Sequence, residues 1–230
     1  MGDLAKAHPG ALVSIKNIDN VRPTTSRGEV VPWRKALLGL AAELDEARKQ
    51  AVAALDAGDS RPAELWLEGG ITHPTDPRPQ SIPALRTALE RPLLVAGMVR
   101  NEGEPGGGPF WLRDDEGVLR AQIIESGEMD LDNPSIGNCM AEATHFNPVD
   151  LICLMHDTSG VPLDLTRFVD HRRDFLVSKS HKGKPLIGLE HPGLWNGAMG
   201  RWNTLFVEVP SRTFAPVKTV FDLLRPEHQA

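Results

Sequence analysis

The chain has 230 residues, 40% of them apolar and 24% charged, with 21 Gly and 19 Pro. That is the composition of a globular chain, long enough for one large domain or two small ones and too apolar for a disordered one. A formal charge of −6 argues against a bulk binder of nucleic-acid backbone, which carries a basic surplus, but leaves room for a local basic pocket around one phosphorylated small molecule.

The first predicted element is a buried strand, Ala11–Lys16, apolar and partly β-branched, which runs into the polar cluster Asn17-Ile18-Asp19-Asn20. Pro23 to Gly28 reads as a loop. From Trp33 to about Ala57, Leu37, Leu38, Leu40, Ala41 and Leu44 recur at helical spacing, with Asp45, Arg48 and Lys49 mostly on the other face, so one long amphipathic helix is expected. Gly69–Pro83 holds four prolines and reads as a surface excursion. A short helix at Pro83–Glu90 and a second buried strand at Leu93–Val99 follow, then the loop Glu102–Pro109. Further strands are expected at Leu119–Glu125, Val149–Met155, Leu186–Leu189 and Leu205–Val209, with helices around Leu163–Val169 and Gly193–Trp202. Strands alternating with helices predict an α/β fold: a mixed, mostly parallel sheet with flanking helices. In such sheets ligands gather beyond the carboxyl ends of the strands, where Asp19, the Gly-rich loop and Glu125 would fall.

The apolar run Pro92 to Val99 is too short to span a bilayer. The N-terminus has no apolar core of the signal-peptide kind, so a cytoplasmic location is expected. Cys139 and Cys153 suit neither a disulfide framework nor zinc, and are expected as half-buried thiols.

Four segments carry chemistry. In Lys16–Asn20 a carboxylate leaves a buried strand between two amides, which suits a hydrated divalent cation on a phosphate; a strand-end turn explains the same residues. In Arg100–Pro109 the glycines let main-chain N–H groups approach an anion or sugar, and Arg100 supplies charge; the alternative is a flexible loop. Glu125, with Asn147 from His145-Phe146-Asn147, can exchange hydrogen bonds with sugar hydroxyls. In Val209–Lys218 two prolines stiffen the connection that holds Lys218, and a fixed cation matters where charge builds up in phosphoryl or nucleotidyl transfer. A solvated lysine after a turn is the plain reading.

In this order, the segments resemble the second half of the UTP–sugar-1-phosphate uridylyltransferases, the UDP-glucose pyrophosphorylase-like family with a Rossmann-like nucleotide-diphospho-sugar transferase fold. Asn17–Asn20 resembles that family's metal-binding aspartate segment and Val209–Lys218 its late phosphate-binding lysine segment. Ile123–Glu125 resembles its strand ending in a sugar-contacting glutamate, Phe146-Asn147 its sugar-binding element, and Leu189-Glu190 its Leu-Glu pair. GMVRNEGEPGGGPFW and GLWNGAM most resemble an uncharacterised bacterial family, domain of unknown function 4301. Arg100 and Gly106 stand where the uridylyltransferases have lysines. Their first half, with the Gly-rich nucleotide loop and base pocket, has no counterpart here, so residues 1–230 are expected to be the C-terminal portion of a larger or split enzyme.

The resemblance implies a nucleotidyltransferase that takes a sugar-1-phosphate and a nucleoside triphosphate to a nucleoside-diphosphate sugar and pyrophosphate. Lys218, Arg100 and Asp19 would be catalytic, Asp19 holding Mg²⁺, and Glu125, Asn147, Gly107, Gly108 and Asn17 would bind substrate. A missing N-terminal half is an implied partner; nucleic acid and membrane are not. One rival is a non-catalytic phosphosugar-binding module. Another is a metal-dependent hydrolase built on His145, Asp150, His156 and Asp157, which strand alternation disfavours by sending Asp150 and Asp157 to opposite faces. Trp195 and Trp202 either line a sugar site or form one packed face, the latter favoured.

Overall fold

The computed structural model describes residues 7, 10–23, 27–73, 79, 81–103, 106–114, 117–191 and 196–229. Its centre is a four-stranded sheet of β1 (Leu12–Lys16), β2 (Leu93–Arg100), β5 (His145–Leu154) and β8 (Asn203–Glu208), in the order β1-β5-β2-β8. β5 is antiparallel to both β1 and β2, and β2 and β8 alone pair in parallel. The expected mostly parallel sheet is therefore corrected to a mostly antiparallel one. Three strands still run the same way, and the reversed β5 lies between two of them. The alternation of side chains is the same for a strand read in either direction, so the pattern that located β5 carried no information on its direction.

The shared direction matters for the site. The carboxyl ends of β1, β2 and β8 meet at one edge of the sheet, together with the amino end of β5. Beyond that edge lie Asn17–Asn20, Arg100 and His145–Asn147.

α1 (Arg27–Asp56) begins before the predicted Trp33 and keeps Pro32 inside it. Residues 24–26 of the predicted loop lie outside the described residues. α2 (Arg61–Glu68) and α3 (Ile82–Leu89) complete the layer, α2 having gone unpredicted and α3 matching within a residue. Leu37, Ala41, Val52, Leu55, Leu67, Leu85 and Leu89 pack with Leu93, Val95, Val99, Ile152 and Leu154 on this face. The alternate residues Leu94, Ala96, Met98, Leu151, Cys153 and Met155 face a second cluster with Ile123, Leu165, Met199 and Trp202. β2 is thus buried on both faces, which is why it reads as a continuous apolar run.

One exception to the amphipathic pattern organises α1. Arg48 and Asp45, read as polar-face residues, are buried. Arg48 pairs with Asp45 at 2.6 Å and donates to the carbonyls of Leu89, Arg91 and His156, satisfying the end of α3 and the turn before β2.

Two hairpins complete the chain. β3 (Gly108–Arg113) and β4 (Leu119–Ile124) pair with each other and cover the second cluster. β6 (Phe175–His181) and β7 (Lys184–Glu190) form a ribbon on which Leu176, Leu186, Ile187 and Leu189 are exposed. β3, β6 and α4 (Pro134–Ala141) were not predicted. The helix expected at Leu163–Val169 is a single 3₁₀ turn, Leu165–Phe168. The one expected at Gly193–Trp202 is described as a 3₁₀ turn at Asn196–Met199, while residues 192–195, including Trp195, lie outside the described residues. The half-buried thiols separate into an exposed Cys139 and a buried Cys153.

Candidate functional site

The two most distant segments of chemical interest are joined by their backbones. Beyond β1 the Asp19 amide donates to Asn17 Oδ1 at 2.9 Å, a side-chain-closed turn of the kind Asn makes readily. The Val217 amide then donates to the Asp19 carbonyl at 2.8 Å, and the Val21 amide to the Ala215 carbonyl at 3.1 Å. Asn20, buried, completes the join: its Nδ2 donates to the Thr213 carbonyl at 3.0 Å and its Oδ1 accepts from the Ala215 amide at 2.9 Å. An asparagine offers a donor and an acceptor together, so it can bond an extended backbone on both of its polar groups.

Next to this join is a cleft of about 560 Å³. Its walls include Lys16, Asn17 and Asp19 from the end of β1, Gly106, Glu125 after β4, Asn147 on β5 and Lys218. All seven come from the four segments singled out in the sequence. A volume of this order suits a small-molecule site.

The floor of the cleft is polar and directional. Asn147 Nδ2 donates to both carboxylate oxygens of Glu125, each at 3.1 Å, which leaves Asn147 Oδ1 buried with no hydrogen-bond partner. A buried amide oxygen costs free energy until a donor reaches it. Lys218 Nζ lies 5.4 Å from the centre of the Phe146 ring, within cation–π range, while its backbone amide is tied to Asp222 Oδ2 at 3.0 Å. Lys16, to which the sequence reading gave no role, adds a second ammonium to the wall and donates to the Asn20 carbonyl at 2.5 Å. The signal for it was there: strand alternation places the last residue of β1 at the sheet edge beside Asn17. Among the described residues the Asp19 carboxylate makes no side-chain hydrogen bond or ion pair.

Three predicted site residues are placed otherwise. Arg100 turns to Glu208, with NH2 3.1 Å from Oε2, and His145 Nε2 meets the same oxygen at 3.0 Å. Between them they hold the Glu208 carboxyl below the usual carboxylate range, the His145 hydrogen bond being the larger influence. The group lies by a separate cleft of about 360 Å³ lined with Phe110, Trp111, Phe206, His145 and Glu208. Gly107 and Gly108 are small for a packing reason. A Cβ on Gly107 would lie 2.1 Å from the Ile124 carbonyl oxygen, and one on Gly108 2.6 Å from that of His145. Their backbones press on the protein's own strands, where ligand contact had been expected.

Other expectations are resolved by position. His145 opens β5 and His156 lies just beyond its far end, roughly 36 Å away at the usual strand rise, so the hydrolase quartet is never assembled. Asp150 pairs with Arg34 at 2.8 Å on the helical face. Burial raises its pKa more than Arg34 lowers it. Among the described residues no three His, Cys, Asp or Glu side chains gather to hold a metal. Trp202 is core rather than a sugar platform, and Leu189-Glu190 is on the exposed ribbon, away from the cleft. No described helix is long and apolar enough to cross a membrane.

The cleft opens at the edge of the sheet where the carboxyl ends of three strands meet, the place where ligands gather in α/β sheets. The chain belongs to the family described as domain of unknown function (DUF4301), whose pattern it matches over residues 4–229. No curated protein matches it in sequence. Among solved structures it is similar to a UDP-glucose pyrophosphorylase mutant of Leishmania major in complex with UDP-glucose, at 16% identity and a TM-score of 0.36, over 65% of this chain and 33% of that one. A second mutant of that enzyme, also with UDP-glucose, matches at 16% identity and a TM-score of 0.38, over 75% and 39%. A UDP-glucose phosphorylase of Trypanosoma brucei matches at 17% identity and a TM-score of 0.37, again over 75% and 39%. The chain therefore spans between a third and two fifths of the length of these structures.

Proposed function

We propose that the cleft binds a sugar phosphate and serves nucleotidyl transfer, from a nucleoside triphosphate and a sugar-1-phosphate to a nucleoside-diphosphate sugar and pyrophosphate. The observation that carries this reading is the convergence of Asp19, Lys218 and the Glu125–Asn147 pair on one cleft, from segments spread over almost the whole chain. Lys218 and Lys16 offset phosphate charge. Glu125 accepts from sugar hydroxyls, and Asn147 holds its carboxylate in place.

In the reaction an oxygen of the sugar phosphate attacks the α-phosphorus in line, a new P–O bond forms, and the bond to the leaving pyrophosphate breaks. Positioning and charge stabilisation do most of this work. Asp19 is the residue that would hold Mg²⁺. A single carboxylate fits a cation that keeps most of its water and takes its other ligands from phosphate, and such an ion neutralises charge there when bound. Arg100 does not line the cleft, its guanidinium lying at Glu208, and this scheme assigns it no step.

The position of Arg100 outside the cleft lining, and the lack among the described residues of three metal-binding side chains gathered together, favour one other reading: a phosphosugar-binding module without chemistry. Calorimetry with glucose 1-phosphate and Mg²⁺, together with pyrophosphate release from UTP, separates the two. Binding with release establishes the transferase, binding without release the module. Absence of binding and of thermal stabilisation removes both. If turnover is seen, Lys218→Ala lowers it far more than it lowers the melting temperature; unchanged turnover takes Lys218 out of the mechanism.

A further inference from the structure

The wall that carries Glu125 is held from behind by a buried ion pair. Arg173, in the turn before β6, and Glu128, in the 3₁₀ turn after β4, have side chains only 8% exposed each. Arg173 Nε and NH2 reach Glu128 Oε1 at 3.1 and 2.8 Å, and NH2 reaches Oε2 at 3.0 Å. The same guanidinium bonds the end of β4 directly: NH1 to Gln122 Oε1 at 2.6 Å and NH2 to the Ile123 carbonyl at 2.7 Å. Glu128 Oε2 then accepts from the Glu125 amide at 2.7 Å, and the Glu125 carbonyl accepts from the Glu128 amide at 2.9 Å. One planar fork therefore ties down Gln122, Ile123 and, through Glu128, Glu125.

We infer that Arg173 and Glu128 are positioning residues that aim the Glu125 carboxylate at Asn147 and at the sugar ring of the ligand. This rests on reading the cleft as a sugar-phosphate site. The physical case is one of direction against stability. Taking both charges out of water costs several kcal/mol each, and apolar residues of the same volume stabilise a core equally well. A guanidinium supplies what they cannot, five donors in a rigid plane, and here they converge on the strand end whose next side chain faces the cleft. The opposite side of that strand end is set by Gly107, whose backbone closes on the Ile124 carbonyl. These contacts hold the Glu125 backbone where both of its carboxylate oxygens accept from the Asn147 amide.

The test uses the full chain and the variants Arg173→Lys, Glu128→Gln and the apolar double variant Arg173→Met/Glu128→Leu, which keeps the fold without the fork. The first readout is the side-chain amide resonance of Asn147, assigned by its loss in Asn147→Asp. The second is calorimetric affinity for glucose 1-phosphate against inorganic phosphate. In the variants the resonance shifts, and affinity for glucose 1-phosphate falls about tenfold while that for phosphate holds, the size of one misdirected charged hydrogen bond. An unmoved resonance, or an equal loss for both ligands, overturns the inference. If the unmodified chain binds neither ligand, the reading of the cleft falls, and the resonance alone decides the clamp.

Discussion

The amide of Val217 donates to the carbonyl of Asp19 at 2.8 Å, with Lys218 as the next residue along the chain. A carboxylate that leaves the first strand and an ammonium close to the C-terminus are thereby brought into one wall by main-chain contact. The contact is independent of either side chain's charge, so the cleft is assembled before any ligand arrives. Asn20 is the device that holds it.

Asn20→Ala removes both side-chain bonds of the join and leaves the Thr213 carbonyl and Ala215 amide buried without them. Each orphaned group costs about 1–3 kcal/mol, so a loss of about 2–5 kcal/mol is expected in denaturant unfolding. Asn20→Asp keeps the acceptor and loses the donor, and should fall between. Equal stability of all three proteins would show that the join contributes nothing.

Gly107→Ala places a methyl 2.1 Å from the Ile124 carbonyl oxygen and 2.6 Å from Glu125 Cα. Both neighbours are backbone, so relief requires the β3–β4 hairpin to shift. A cost of about 3 kcal/mol is expected, at the upper end for overpacking. Gly103→Ala, with open space at its Cβ, is a poor control because its φ is +110°. Gly39→Ala, on α1 and equally unobstructed, is the better one and should be neutral or stabilising. A thermal melt of the two variants checks the contrast.

His156 is buried and its pKa is lowered, chiefly by desolvation of its charged form. Its folded value thus lies below the unfolded one near 6.5. The sign follows: the contribution is fully present above about pH 6.5 and is lost as pH falls through the folded value, because the unfolded chain takes up the proton first. Stability should decline below pH 6.5 with a slope of up to about 1.4 kcal/mol per pH unit from this group. In His156→Phe the slope between pH 6.5 and pH 5 should flatten; an unchanged slope assigns the acid sensitivity elsewhere.

Cys139 is exposed, whereas burial pushes the Cys153 thiol up to about 12. Only the thiolate attacks thiol reagents. At pH 8 one thiol should react quickly with a chromogenic disulfide and the second only on unfolding, and Cys139→Ser should abolish the fast phase. Two fast thiols would mean that the β5 face is open to solvent.

The local features were legible in the linear order of residues. The apolar run of β2, the polar turn after β1, the Gly-rich loop and the proline-stiffened lysine segment each follow from short-range physics: burial on both faces, side-chain turns, and restricted backbone angles. Five of the site residues named from those segments, Asn17, Asp19, Glu125, Asn147 and Lys218, line one cleft. What the order could not supply is everything set by pairing across long separations. β5 alternates equally well in either direction, and only its neighbours made it antiparallel. Arg100 and Arg48 are both arginines near polar residues. Glu208 took one out of the cleft, and the carbonyls at the end of α3 drew the other into the core. The close approach of the Gly107 backbone to the Ile124 carbonyl, which leaves no room for a side chain, is likewise set only by the packing. A charge or a glycine states what a position can do; which partner it meets is decided by the tertiary packing, because partner energies of a few kcal/mol exceed any local preference.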